Sequence, residues 1–402
     1  LRPRIFRKLQ HHIAKVTGLS QGDLDAGLPM KEGLQKFLDW AGPDAELAEW
    51  GLDDVPVLKQ NLFLVGLDEN WPDKWYDLPA GWYVVKGDVT ITPRLDTHGA
   101  VNLILTDDCH LTVPWGINVK EGDTFTIYAQ STAEASMGKL TACLPELSDH
   151  EKSVWPVAGL SGIGAGVRVW AANDNYYENE GTIIINGGNI HARGQQGSSA
   201  IGGSYQDRNV SSDGDTPGNL RQGGSITING NAIKSISSKD GACIGAATGG
   251  SVGSITISDA ELPLLSSNKI LIGWDADSPG GKLTIRNCHV ASTDELTTRT
   301  DGIRVGSNSE LVIEESEIRL PHFRSIRVGG NGSIAVRDSD LHTYGIFMDE
   351  NAKSPNDAKT LKRLEITDST VLTGDIIGAR GEYSSVEEIV IRGSSIRLNE
   401  EY

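Results

Sequence analysis

Hydrophobic and polar positions change rhythm part-way along the chain. Near the front, Met30, Leu34, Phe37 and Leu38 recur at i, i+4, i+7 and i+8, predicting an amphipathic helix that ends near Gly42. A second helix is predicted from about Asp54, with Val57, Leu58, Asn61 and Leu62 along it, and the stretch 66–78 (GLDENWPDKWYDL) reads as a loop. Beyond residue 80 the period becomes two. TIIINGG at 182, SITINGN at 225, SITISDA at 254, KLTIRNC at 282, ELVIEES at 310, SIAVRDS at 333, RLEITDS at 363 and EIVIRGS at 388 are variants of one unit. Successive starts lie 43, 29, 28, 28, 23, 30 and 25 residues apart, the spacing of a solenoid repeat.

Aligned, these units give three apolar columns. The first runs Ile183, Ile226, Ile255, Leu283, Leu311, Ile334, Leu364 and Ile389, and the second lies two residues on, from Ile185 to Ile391. Period-two alternation sends both to one face of each strand. The third column, from Ile190 to Ile396, follows across a turn. A further strand precedes most units, as in SAIGGS (199–204), ACIGAAT (242–248), KILIGWD (269–275), GIRVGSN (302–308) and SIRVGGN (325–331). Residues 203–223 read as a polar loop that lengthens one repeat, and GDVTI at 87, NLILTDDCHL at 102 and GKLTAC at 138 as earlier, less regular coils. The prediction is a mainly β protein: a right-handed parallel β-helix over 81–402, preceded by a small α-helical segment over 1–80.

Composition sharpens this division. Only seven of the 47 glycines fall in the first 80 residues, so the turn-forming residues concentrate in the repeats. With 36 Lys+Arg against 54 Asp+Glu the net charge is −18, which argues against a nucleic-acid partner. No apolar run reaches the ~18 residues of a membrane span. Cys109, Cys143, Cys243 and Cys288 are far apart, without zinc-ligand spacing. Residue 1 is Leu, which leaves room for a start and a targeting segment upstream.

RPRIFRKL (2–9), KVTGLSQ (15–21), KEGLQKFLDWAG (31–42), AEWGLDDVPVLKQN (48–61) and GLDENWPDKWYDL (66–78) occur in that order. Residues 2–78 thereby resemble an internal stretch of DEDD-family 3′–5′ exonucleases. The resemblance makes Asp54 one of four acidic ligands for two divalent metals. The family's D-x-E and later His-x-x-x-x-Asp have no counterpart here, so an inactive remnant is expected, because two-metal cleavage needs the whole set. WYVVKGDVTI, VNLILTDDCHLTV, GINVKEGDTFTIYAQS and GGNIHARGQQGSSAIGGS in turn resemble the glycine-rich parallel β-helix repeats of bacterial surface and carbohydrate-binding proteins. That likeness implies a calcium-using or ligand-free binding module at the cell surface or outside the cell, whereas the first resemblance would suggest the cytoplasm.

Candidate chemistry follows from the repeats. One turn column reads Gly187, Gly230, Asp259, Asn287, Glu315, Asp338, Asp368 and Gly393. Stacked like charges at Glu315, Asp338 and Asp368 want compensation, which Ca²⁺ would supply through hard oxygen ligands. Pairing with Arg286, Arg337 and Arg392, or ordinary turn chemistry, accounts for the same residues. Trp274, with Tyr205 and Phe323, offers a ring platform for a sugar. Asp275 and Asp277 are a carboxylate pair for a glycoside hydrolase, and Arg304 and Arg327 the nearest match to a polysaccharide lyase's basic residue. Solvated salt bridges are the competing account of these charges. The sequence-based expectation is a non-catalytic, adhesin-like polysaccharide-binding module, with a lyase or hydrolase as the rival and an exonuclease third.

Overall fold

A computed structural model of the chain describes residues 20–41, 58, 61–62, 67, 75–91, 94–142, 160–165, 167–169, 175–177, 179–194, 197–203, 222–230, 233–238, 241–246, 250–275, 280–292, 300–320, 324–349, 358–375, 377–380 and 382–398. The chain divides into two units, Leu1–Tyr76 and Asp77–Tyr402. In the first, helices Gln21–Asp25 and Met30–Ala41 are present, the longer one burying Leu34. Ser20 caps the shorter: its Oγ accepts from the Asp23 N–H at 3.2 Å and donates to the Asp23 carboxylate at 2.6 Å. Leu58, Asn61 and Leu62 are helical, and Leu62 is fully buried. Asp54 lies outside the described residues.

From Trp75 on, the described strands form three 11-stranded sheets, to which successive coils contribute one strand each in cyclic order, and one two-stranded antiparallel sheet of Val167–Val169 and Asn175–Tyr177. The first coil takes Trp75–Leu78, Gly81–Val85 and Asp88–Thr90, and the last Ile377–Arg380, Ser384–Arg392 and Ser395–Leu398. Ladders within these three sheets are parallel, for example Ile183↔Ile226 and Ile185↔Ile228, and an isolated antiparallel bridge joins Lys120 and Glu180. WYDL, read as part of a loop, is the opening strand of the first sheet, because it pairs with Arg94–Thr97 one coil on.

The first two predicted columns stack in register through the second sheet, and the third pairs Ile190 with Ile233 and runs from Leu262 to Ile396 in the third sheet, with register shifts at Ile190/His191 and Leu262/Leu265. Their members are fully or almost fully buried wherever described, apart from the last coil, where Ile389, Ile391 and Ile396 have a neighbouring coil on one side only. The first sheet adds a fourth column, Leu95, Ile117, Ile163, Ile201, Ile244, Ile272, Ile303, Ile326 and Ile346. Burying branched aliphatic side chains at roughly 1.5–3 kcal/mol each supplies the driving force.

Glycine follows this fourth column at Ile163, Ile201, Ile244 and Ile272 for a reason of space. Gly202 and Gly245 adopt φ of 125° and 135°, and a Cβ on Gly245 would sit 2.0 Å from the Gly273 carbonyl oxygen. Beside the turns, serines take over from glycine. Ser316, Ser339, Ser369 and Ser394 each donate from Oγ to the carbonyl two residues back at 2.6–2.8 Å. Each also accepts a backbone N–H from the preceding coil at 3.1 Å, from Cys288, Ser316, Ser339 and Ser369 respectively. Arg94 is likewise interior: its guanidinium donates to the carbonyls of Trp115, Ser161, Ile117 and Gly164, tying three coils together.

Candidate functional site

The outer face of the second sheet changes character along its length. Where the strands begin, Trp82 and Val84 alternate with the inward Tyr83 and Val85, so their side chains point away from the core. Trp82 is 65% exposed and stacks on Tyr128, ring centroids 5.5 Å apart and planes 24° from parallel. The two rings reach towards each other across the strand Ala100–Leu105, whose outward residues there are Asn102 and Ile104. Further along, the register that holds Trp82 and Asn102 carries Thr126, Ile184, Thr227, Thr256 and Thr284. A parallel row of Asn186, Asn229 and Ser258 is linked side chain to side chain, with both bonds at 2.8 Å. Strands recur every ~4.8 Å, so these groups, with Thr126 buried and Ile184 interrupting one row, form an array of hydroxyls and amides leading away from the aromatic pair.

Beyond Thr284 the same face is charged, and seven of its charges among the described residues are paired. Lys282 meets Glu310 at 3.0 Å, Arg337 joins Glu314 at 2.7 Å and Glu365 at 3.2 Å, and Arg363 joins Glu365 and Glu388. Donating hydrogen bonds to the Glu365 and Glu314 carboxylates holds the Arg337 guanidinium above its usual range, and accepting those from Arg337 holds the Glu365 carboxyl below its own.

The turn column that suggested calcium has a conformational explanation. Asp259, Asn287, Glu315, Asp338 and Asp368 all sit at φ of 48–55°, the left-handed position of the turn between the second and third sheets. Asn and Asp tolerate this region better than other non-glycine residues, and the remaining places in the column are glycine. Asn287 Nδ2 donates to Asp259 Oδ1 at 2.7 Å, and Arg286 reaches Glu315 at 3.5 Å. Arg337 pairs on the sheet face instead of with Asp338. Glu315, Asp338 and Asp368 do not bring their carboxylates together: among the described residues, the one group of three acidic or imidazole side chains with ligand atoms within 4.8 Å of one another lies elsewhere.

Trp274 is not a platform. It is fully buried in the core, against a space that Gly281 keeps open, since a Cβ there would come within 2.8 Å of the ring. Three of the other proposed ligand residues do meet. Arg304 contacts Asp275 at 3.4 Å and Asp301 at 2.7 Å, and Arg327 holds the other Asp301 oxygen at 2.7 Å. Arg327 and Arg380 also lie over the Phe347 ring, 5.1 and 5.5 Å from its centroid. Asp301 is nearly buried between the two arginines, so the cluster is an ion network closed on itself. Asp277, Tyr205 and Phe323 lie outside the described residues, as does most of the loop at 203–223. Trp82 and Tyr128 were absent from the sequence-based candidates. The alternation in GWYVV places Trp82 out of phase with the apolar columns, which is the signal that marks it as outward.

In comparison with known proteins, no family model, no curated protein and no solved structure matches the chain.

Proposed function

We propose that this protein is a non-catalytic binding module of the right-handed parallel β-helix type, acting at the cell surface or outside the cell, and that it holds a polysaccharide along the outer face of its second sheet. The observation that carries this reading is the exposed Trp82 stacked on Tyr128 at the head of an array of hydroxyl and amide side chains. Flat rings match the apolar faces of pyranose sugars, and a ladder of Thr, Ser and Asn offers both donors and acceptors to sugar hydroxyls. Seven charges elsewhere on the face are mutually paired, which favours an uncharged polymer over a polyanion.

A lyase or hydrolase is the less favoured reading. A lyase base must be free to take a proton, and Arg304 and Arg327 are both engaged by Asp301. The test is a pull-down of the full chain on a panel of insoluble neutral and acidic polysaccharides, with the Trp82→Ala variant alongside. Retention on a neutral glycan, lost in the variant, is the expected result. Release of soluble oligosaccharide during incubation would overturn the non-catalytic assignment.

A further inference from the structure

Where the first two coils of the second unit meet, three side chains of metal-ligating type converge. Asp77 is on the opening strand, Asp96 is on the strand Arg94–Thr97, and His98 follows it, its backbone N–H donating to the Leu78 carbonyl at 3.0 Å. His98 Nε2 lies 2.9 Å from Asp77 Oδ1 and 3.6 Å from Asp96 Oδ2. Ligand atoms around a tetrahedral zinc, each at ~2.0–2.2 Å, sit roughly 3.3 Å apart, and the observed separations straddle that value. Asp96 is fully buried, and Asn118 Nδ2 donates to its Oδ1 at 2.7 Å, which turns Oδ2 towards the imidazole. Asp77 and His98 face solvent, so one side of the group is open.

Lys120 completes the arrangement. Its Nζ is 3.7 Å from Asp96 Oδ2 and 3.3 Å from His98 Nδ1. An ammonium only donates, so Nδ1 is the acceptor and the neutral ring carries its proton on Nε2, directed at Asp77. The lysine therefore does two things that oppose a metal: it neutralises a carboxylate, and it holds the imidazole in the tautomer whose Nε2 is blocked.

We propose that Asp77, Asp96 and His98 form a site for a borderline divalent cation of the Zn²⁺ type, with Lys120 as a tethered competitor for it. One imidazole nitrogen with two carboxylate oxygens suits zinc, cobalt or nickel better than calcium, which takes oxygen alone. On loading, the Nε2 proton passes to Nδ1, Nε2 and the two carboxylates take the ion, Lys120 turns out to solvent, and water fills the fourth position. This inference is independent of the glycan-binding reading.

The experiment uses the full chain, stripped with a chelator, dialysed and titrated with Co²⁺, whose visible spectrum distinguishes four- or five-coordinate binding from the hydrated ion; Zn²⁺ then displaces it. One equivalent per chain is expected. Asp77→Asn, at an exposed position, should weaken binding by about tenfold or more, and Lys120→Met should tighten it by about tenfold, since the ammonium that must leave Asp96 and His98 before the ion can bind is removed. Far-UV circular dichroism checks that both variants keep the strand signature. A spectrum that stays that of the hydrated ion, or equal binding by the wild type and Asp77→Asn, would overturn the site. Unchanged affinity in Lys120→Met would overturn the competition.

Discussion

Glu180 is the residue on which protonation and folding are most directly linked. Only 4% of it is exposed, neither carboxyl oxygen has a hydrogen-bond partner among the described residues, and burial raises its pKa from 4.5 to about 8. The folded state therefore keeps the proton while the unfolded chain releases it. Its contribution to stability is fully present below pH 4.5 and is lost by about 1.4 kcal/mol per pH unit up to about pH 8. Glu180→Gln is expected to remove that slope and to be the more stable protein at pH 8, measured by urea unfolding at several pH values. Gly245 is the residue with least latitude. With φ at 135° and the Gly273 oxygen 2.0 Å from any added Cβ, Gly245→Ala should cost several kcal/mol, on the scale of a severe core substitution. An unfolding midpoint within error of the wild type would contradict this account of the glycine column.

The turn between the second and third sheets combines two devices that repeat from coil to coil. A left-handed residue reverses the chain, and the serine after it satisfies one carbonyl in its own coil and one N–H in the coil before. Ser339→Ala leaves the Ser316 N–H without its acceptor in a buried position, at an expected cost of about 1–3 kcal/mol. Ser339→Cys keeps a weak donor to the carbonyl two residues back, as Cys288 does at the head of the ladder, and should fall between the two in thermal unfolding. The acid in the preceding position was legible as a turn residue from its neighbours in the column, Gly, Asn and Asp. Its left-handed angle was not, because composition gives the candidates for a turn and only the backbone path shows which of them reverses it. The serine ladder also escaped notice: polar residues in register read as surface until their partners in adjacent coils are known.

Over the whole molecule, the second sheet grades from aromatic through hydroxyl and amide to paired charge. If the uncharged part is the binding surface, retention on a neutral glycan should not change when salt rises from about 0.1 to 1 M, a range that shortens the screening length from ~10 to ~3 Å. Loss of retention over that range would point to a polyanion held by charge. The sequence by itself determined the apolar columns, their register from Ile183 to Ile391 and the mainly β class, because period-two alternation and a repeated unit leave few other ways to bury those side chains. It also placed Asp275, Arg304 and Arg327 in neighbouring repeats, and the structure joins them through Asp301. Tertiary structure alone decided which tryptophan is exposed. Trp274 follows a glycine that lets it turn into the core, whereas Trp82 stands on the opposite phase of its strand with Tyr128 two coils away. It alone assembled Asp77, Asp96, His98 and Lys120 as well, since these come from successive irregular coils whose lengths hide the register. Stacking between coils fixes such neighbours, and that distance is set by strand pairing in space, not by spacing along the chain.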